Sequence, residues 1–228
     1  MLPKRILPIL FWITLILSFT ILAGSVTLVA AGYQFDWQTK RLTQTGLVYL
    51  AGEPRQVSIT VNGEIAGSRL PLRLAAVLPG EYDIVIEKEG YVPWRKLFTI
   101  EAGEAHTETD IRLFLIRPEV AAVSDPELVR KVQENTSPSS LIAGQEIRLG
   151  NRLVTRVSGE LRAAVATPDR SHVFFQIGKE IRVIEADGGN ELLLYTLQAD
   201  APSYLIVQED GEEVVLLDGG EVIRLRVG

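Results

Sequence analysis

The sequence predicts a mainly β protein that is preceded by a single apolar helix. Three observations carry this prediction: an uncharged segment from Ile6 to Gln34, alternating apolar and polar residues beyond it, and Gly or Pro turns between the alternating runs. The length of 228 residues allows one or two domains. The expected division of the chain is a cytoplasmic N-terminus at 1–5, a transmembrane helix at 6–31, a β-sandwich-like domain at 32–116, a linker with a short helix at 117–140, and a second β region at 141–228.

The segment 6–31 is long and apolar enough to span a membrane. As a helix it would rise about 1.5 Å per residue to about 39 Å, against a hydrocarbon core of about 30 Å. A cleaved signal peptide is the alternative, with small residues at Ala23-Gly24-Ser25 and at Ala30-Ala31 as loose cleavage sites. We favour the uncleaved anchor because the apolar stretch exceeds the usual signal-peptide length.

The charges beside this segment predict its orientation. Lys4 and Arg5 precede it, and no basic residue follows until Lys40. The positive-inside rule therefore places the N-terminus in the cytoplasm and the rest of the chain outside the cytoplasmic membrane. Tyr33 and Trp37 then fall at the outer membrane interface, where aromatic residues are enriched.

Net charge and cysteine content exclude several classes of function. All 29 acidic residues lie at or beyond Asp36, together with 21 of the 23 basic residues, so this part of the chain carries a net charge of −8. That balance argues against nucleic acid as a partner, because such binding depends on clustered Lys and Arg. The absence of cysteine excludes thiolate zinc sites, cysteine nucleophiles and disulfide frameworks.

The segment 32–116 shows the two-residue period of half-buried strands. The alternating apolar sets are Val57, Ile59 and Val61; Leu70, Leu72 and Leu74; Tyr82, Ile84 and Ile86; and Ile111, Leu113 and Leu115. Turn residues separate them at Asn62-Gly63, Pro79-Gly80 and Glu89-Gly90. Several short strands at this spacing, without a helical run between them, predict a β-sandwich-like domain.

Five ordered motifs in this segment resemble the PEGA domain, over about residues 46–115. They are Pro54-Arg55-Gln56-Val57, Val61-Asn62-Gly63 with Gly67, Leu70-Pro71-Leu72, Leu78-Pro79-Gly80-Glu81-Tyr82, and Lys88-Glu89-Gly90-Tyr91 with Trp94. The resemblance implies a non-catalytic extracytoplasmic module of the kind found on envelope and surface proteins. It brings no catalytic residues with it. We expect Tyr82, Tyr91 and Trp94 to be core or rim aromatics. Tyr91 and Trp94 are the candidate ligand contacts, provided that their rings are exposed.

The segment 117–140 changes in composition and is expected to be a linker. Ser124 is expected to cap a short helix, with Pro126 in its first turn and Glu127 completing a capping box. Asn135-Thr136-Ser137 matches the short N-glycosylation pattern.

A local similarity recurs three times in 141–228. The copies are Gly144-Gln145-Glu146-Ile147-Arg148, Gly178-Lys179-Glu180-Ile181-Arg182 and Gly220-Glu221-Val222-Ile223-Arg224. Their spacing, near 40 residues, is typical of propeller blades. The run from Ala166-Thr167-Pro168-Asp169 to Asp187-Gly188-Gly189 resembles a TolB-like or WD-type blade, with Arg170 in place of the expected turn glycine. The length suggests about two four-stranded blades, too few to close a ring.

No motif predicts a catalytic, cofactor or metal site. His106 and His172 lie in different segments without metal-ligand spacing, and we expect both to be surface or strand residues. The acidic run Glu209–Glu213 is expected to be loop charge. We therefore expect no enzyme activity and no cofactor.

The predicted function is that of a membrane-anchored, non-enzymatic envelope module that binds a partner through exposed strands or loops. The order of helix, PEGA-like domain and propeller-like region resembles that of bacterial envelope proteins. Membrane lipid is the expected partner of the helix, and an envelope protein or glycan that of the ectodomain. A glycan-binding module and a sensory ectodomain that signals through lateral contacts are the alternatives, and the oligomeric state is left open.

Overall fold

The computed structural model describes residues 6–37, 39–134, 139–199, 201, 204–208 and 211–228. The chain divides into two compact units, each built from three separate stretches. The first unit contains Met1–Leu50, Pro71–Tyr82 and Leu97–Thr109, and the second contains Ala51–Leu70, Asp83–Lys96 and Asp110–Gly228. The segment that resembles the PEGA domain therefore contributes strands to both units.

Two helices are present in the described residues. Helix α1 spans Ile6–Ala30, close to the predicted 6–31, and helix α2 spans Pro126–Glu134. The cap of α2 is Asp125 and not Ser124, so that expectation is wrong by one residue. The Asp125 carboxylate accepts the Glu127 backbone N–H at 2.9 Å, and the Asp125 carbonyl accepts the Val129 N–H at 3.0 Å. Asn135-Thr136-Ser137 lies outside the described residues.

Nine strands lie between the two helices and before the linker. They are β1 (Tyr33–Asp36), β2 (Arg41–Gln44), β3 (Gly46–Glu53), β4 (Gln56–Val61), β5 (Glu64–Arg69), β6 (Leu72–Val77), β7 (Gly80–Glu87), β8 (Trp94–Ile100) and β9 (Ala105–Arg112). Strands β1 and β2 form a hairpin, and the others form two sheets with the orders β6-β3-β9 and β5-β4-β7-β8.

The predicted alternation is present in these sheets. In β4, Val57 and Ile59 are buried while Gln56 and Ser58 are exposed, and in β7 Ile84 and Ile86 are fully buried. The turn at Asn62-Gly63 has positive φ at both residues, 51° and 82°. Such a turn favours Asn-Gly because most side chains are strained at positive φ.

Eleven further strands follow. They are β10 (Glu119–Ala122), β11 (Ile142–Ala143), β12 (Glu146–Leu149), β13 (Arg152–Arg156), β14 (Leu161–Ala166), β15 (His172–Ile177), β16 (Glu180–Glu185), β17 (Leu192–Thr196), β18 (Ile206–Val207), β19 (Glu213–Asp218) and β20 (Glu221–Arg226). They form three antiparallel sheets with the orders β11-β12-β13, β14-β15-β16-β17 and β10-β20-β19-β18. About two four-stranded blades were expected, whereas the described residues form three sheets. The difference arises because the first of these sheets has only three strands and because the third takes β10 from the segment expected to be a linker.

The recurring sequence motif marks the same position in each sheet. It forms β12, β16 and β20, and each of these strands lies between two antiparallel neighbours. Each follows a glycine with positive φ, at Gly144, Gly178 and Gly220. In the third sheet the outer neighbour is β10, which precedes α2 in the chain, and not a strand that follows β20.

The three sheets pack face to face in the second unit, with the second sheet in the middle. Strand β15 shows this directly: Phe175 packs with Ile147 and Val154 of the first sheet, whereas Phe174 packs with Val214 and Leu216 of the third. Both phenylalanines are fully buried. The run Val173-Phe174-Phe175 is therefore apolar without alternation because both faces of its strand are covered.

The two outer faces of this stack end in different ways. On the first sheet Glu146 receives hydrogen bonds from Arg148 and Arg156, which lower the pKa of Glu146. On the third sheet the amphipathic helix α2 packs its buried Val132 against Val215 and Val222. A charged face and a covering helix each remove an apolar surface that a further sheet would otherwise have to bury.

The turn before β15 makes a testable prediction at Arg170. This exposed residue has a φ of 58°, and the left-handed region costs an L-residue about 1–2 kcal/mol. Arg170→Gly relieves that strain. It also costs about 0.5–1 kcal/mol of stability, because glycine gives the unfolded chain more conformational entropy. We expect the free energy of unfolding, measured by denaturant titration of the full chain in micelles, to rise by up to about 1 kcal/mol.

The matched variant is Arg170→Val, which also removes the guanidinium but adds a branch at Cβ. It should destabilise the protein, because β-branched residues are the least tolerant of positive φ. Equal stabilities of the Gly and Val variants would show that the backbone conformation at this turn is not the deciding factor.

Candidate functional site

Helix α1 is the first functional element, and its side chains are exposed on every side. The stretch Ile9–Ala30 has 22 residues, none of which is buried in the structure. By length and composition it is able to cross a membrane, which makes it a candidate membrane anchor or signal sequence. Lys4 and Arg5, on which the predicted orientation depends, lie outside the described residues.

Four hydroxyl groups of α1 are satisfied within the helix itself. Each donates to a backbone carbonyl three or four residues earlier, at 2.8–2.9 Å: Ser18 to Leu15, Thr20 to Ile16, Ser25 to Ile21, and Thr27 to Ala23. In hydrocarbon an unpaired polar group is costly. These hydroxyl groups therefore need no second helix as a hydrogen-bond partner.

The predicted interfacial aromatics lie on a hairpin and not on an extension of the helix. Tyr33 begins β1, and Trp37 follows β1 in the turn to β2. Trp37 is 83% exposed, and its ring contacts the edge of the Phe35 ring at a centroid distance of 4.8 Å. These residues follow α1 directly in the structure, and their location at a membrane interface stays a prediction.

Of the two predicted ligand contacts, Trp94 is buried and Tyr91 is half-buried. Trp94 is only 4% exposed at the start of β8, so it offers no ring face to a glycan. Tyr91 forms an isolated bridge with Leu115, and the Lys88 ammonium lies 4.7 Å from the centroid of its ring. Trp94 does not meet the condition of an exposed ring on which its role as a ligand contact depended, and Tyr91 as a ligand contact stays a prediction.

Trp94 instead belongs to a polar cluster that we call the Glu185 cluster. The carboxylate of Glu185, on the last residue of β16, is its centre. This carboxylate accepts the Trp94 indole N–H at 2.5 Å, the Asn190 side-chain amide at 3.0 Å and the Lys96 ammonium at 3.3 Å. Lys96 also pairs with Asp187 at 2.6 Å.

The cluster surrounds both of its carboxyl groups with hydrogen-bond donors. Glu185 is only 8% exposed, and its hydrogen bonds from Trp94, Asn190 and Lys96 offset the cost of burying it. At Asp187, burial raises the pKa, but the hydrogen bonds from Lys96 and from the Gly189 backbone N–H lower it further than burial raises it. Strand β8 of the PEGA-like segment is thus held to the middle sheet by hydrogen bonds and ion pairs within the second unit.

His172 lies beside this cluster at the start of β15 and is 2% exposed. Burial and, to a smaller extent, the nearby charge of Arg112 lower the pKa of His172 to about 4. The Ser171 hydroxyl lies 2.8 Å both from His172 Nδ1 and from Asp169 Oδ1. In a nucleophilic triad the histidine stands between acid and serine, whereas here the serine stands between them.

A small pocket opens beside His172 and Glu185. It is lined by Val92, Pro93, Trp94, Arg112, Phe114, His172, Glu185, Asn190 and Leu192. Its interior has room for about one water molecule. That volume is far below the several hundred Å³ of a usual small-molecule site, so the cluster is better suited to holding strands together than to binding a substrate.

The other polar residues singled out from the sequence are dispersed. His106 lies on β9 and stacks on Phe98 with a centroid distance of 4.0 Å. Glu213 pairs with Arg224 at 3.4 Å, and Glu209 and Asp210 lie outside the described residues. Within the described part of the chain, no three His, Asp or Glu side chains form a group that could hold a metal ion.

The sequence analysis missed the Glu185 cluster as a unit. Its members come from two segments, and Trp94 and Glu185 are 91 residues apart. In the sequence, Asp187 belonged only to the turn that ends the blade-like motif, and Asn190 directly follows that turn. Lys96 was not singled out. The one local signal was the presence of the polar residues Asp187 and Asn190 after the buried strand β16. That signal does not show which strand packs against them.

Comparison with known proteins identifies one segment of the chain. The architecture is that of a β-rich chain with a candidate membrane helix and a PEGA-like segment held to a stack of sheets. Residues 45–113 match the sequence model of the PEGA domain. The match covers less than a third of the 228 residues. No curated protein and no solved structure matches the chain.

Proposed function

We propose that the chain is a membrane-anchored, non-enzymatic module that displays its β-rich part outside the cytoplasmic membrane to an envelope partner. The observation that carries this proposal is α1, whose 22-residue stretch is apolar and wholly unburied. A helix of that kind on a β-rich chain has no protein core to enter, so a bilayer is the environment that suits it. The PEGA match supports an extracytoplasmic role.

The hydrogen bonds and the small pocket of the second unit favour display over turnover. The Glu185 cluster joins β8 to the middle sheet, and the pocket beside it admits about one water molecule. The three sheets with equivalent central strands are consistent with propeller-related blades that form an open stack.

Protease accessibility tests the orientation. With an epitope tag after Gly228, we expect protease added to spheroplasts to remove the tag while α1 stays in the membrane fraction. The physical reason is that Lys4 and Arg5 favour the cytoplasmic side. A co-expressed cytoplasmic protein should remain intact as the control. Protection of the tag until the membrane is lysed would reverse the proposed topology.

Crosslinking in intact cells tests the partner. A photoreactive residue on an exposed strand of the second unit, for example at Leu193, which is 52% exposed, should capture an envelope protein or glycan. A probe at the buried Val183 is the matched control and should capture only this chain. If the exposed probes captured only lipid and the chain itself, the proposed interaction role would fail.

A further inference from the structure

The hairpin β1–β2 presents an apolar face that the structure leaves uncovered. In its register Phe35 lies opposite Leu42, and Tyr33 lies opposite Gln44. Because strand residues alternate between faces, Tyr33, Phe35 and Leu42 share one face, and the Trp37 ring lies against Phe35. Phe35 is 41% exposed and Leu42 is 54% exposed.

The opposite face of the same hairpin is polar. It carries Gln34 and Asp36 on β1 and Thr43 on β2. In the turn, the Thr39 hydroxyl donates to the Asp36 carboxylate at 2.6 Å. The hairpin is therefore amphipathic, and its two faces differ in what they can contact.

The hairpin is joined directly to the end of α1, within the same compact unit. Helix α1 ends at Ala30 and β1 begins at Tyr33. Gly32 ties both strands to the helix: its N–H donates to the Val29 carbonyl at 3.0 Å, and its carbonyl accepts the Thr45 N–H and hydroxyl, both at 2.8 Å. Only Ala31 and Gly32 separate the apolar helix from the amphipathic hairpin.

We propose that the apolar face of this hairpin binds the surface of the lipid bilayer, with Tyr33, Phe35, Trp37 and Leu42 at the level of the headgroups. This inference rests on the proposed anchoring by α1. Four strand residues span about 13 Å, so the hairpin is short enough to remain near the interface into which α1 emerges. Aromatic side chains favour that interface, and Lys40 in the turn favours anionic headgroups.

The chain has no cysteine, so single-cysteine spin labels test the proposal without background. The full chain would be placed in vesicles of phosphatidylcholine with a minor share of phosphatidylglycerol. Leu42→Cys probes the apolar face, and its neighbour Thr43→Cys is the matched control on the polar face. Ile16→Cys reports on the helix. The measurement is the collision rate of each label with oxygen, which partitions into lipid, and with a water-soluble nickel chelate.

We expect the oxygen-to-nickel ratio to be several-fold higher at position 42 than at position 43, and highest at position 16. Adding Phe35→Ser and Trp37→Ser should move the label at 42 into water while the label at 16 stays in lipid. Gln34→Ser, on the polar face, should change neither.

The possible failures are distinguishable. Equal nickel access at positions 42 and 43, with the label at 16 in lipid, overturns the hairpin inference and leaves the anchor intact. A label at 42 that is shielded from both reagents shows that protein, from a partner or a second copy, covers the face, and this also overturns the inference. A label at 16 that is accessible to nickel contradicts the proposed anchor itself.

Discussion

Replacing Trp94 with alanine is expected to lower the free energy of unfolding by about 3–5 kcal/mol, the usual cost of removing a large buried aromatic side chain. The indole is 4% exposed and donates to Glu185 at 2.5 Å, so the substitution leaves both a cavity and a buried carboxylate with one donor fewer. Denaturant titration of the full chain in micelles, followed by circular dichroism of the strands, would measure the change.

Two further variants separate packing from hydrogen bonding. Trp94→Phe keeps an aromatic ring but removes the N–H. We expect the free energy of unfolding to fall by about 1–3 kcal/mol, because the buried Glu185 side chain loses one hydrogen-bond donor. Ile65→Ala is the exposed control, because Ile65 on β5 is 83% exposed and its truncation should change stability by less than about 0.5 kcal/mol. If Trp94→Ala and Ile65→Ala behaved alike, the Glu185 cluster would not hold β8 to the middle sheet.

Lowering the pH from 7.5 to 5 is expected to cost about 2 kcal/mol of stability through His172 alone. Burial lowers the pKa of this imidazole from 6.5 to about 4 in the folded protein. Below pH 6.5 the unfolded chain takes up a proton that the folded protein does not, so stability falls as the pH falls. The loss begins near pH 6.5 and is complete near pH 4.

The carboxylates act in a lower pH range, which separates the two effects. The pKa of Asp187 and the pKa of Asp169 are lowered in the folded protein; burial alone would raise both, but hydrogen bonds outweigh it. Their contribution is present above the unfolded carboxylate pKa of about 3.9 and is lost as the pH falls through their lower folded values. The slope between pH 6.5 and 4.5 is thus assigned to the histidine.

His172→Asn tests this assignment, because the Ser171 hydroxyl donates to Asp169 and the asparagine side-chain N–H can still donate to the Ser171 oxygen. We expect denaturation midpoints of this variant to change little between pH 7.5 and 5. His106→Asn, which removes the other histidine and keeps His172, is the control and should retain the slope. An unchanged slope in His172→Asn would contradict the burial of a neutral imidazole at this position.

The local elements followed from the sequence to a large extent. An unbroken run of 26 uncharged, mainly apolar residues indicated α1. The alternation of apolar and polar residues in β4 and β7 indicated the buried faces of these strands. The three copies of the short motif correctly marked three equivalent strands, β12, β16 and β20. These features depend on neighbouring residues only, so a single sequence contains enough information to predict them.

Strand partners were harder to predict, since pairing joins residues that are distant in the chain. Strand β10 lies in a stretch expected to be a linker, yet it completes the third sheet through pairs such as Val120 with Leu225. Four exposed residues in a row show no alternation, so no period revealed this edge strand. The number of sheets was misjudged for the same reason.

The sequence alone predicts an apolar helix before a β-rich, acidic and cysteine-free remainder, because composition and period are local properties. The resemblance of one segment to the PEGA domain rests on five ordered motifs. The environment of Trp94 depends on the tertiary structure. The sequence left Trp94 as either a core or rim aromatic or an exposed ligand contact, and the fold buries it beside Glu185. The physical reason is that burial of a side chain and satisfaction of its N–H depend on a strand 91 residues away, and no local pattern specifies that contact.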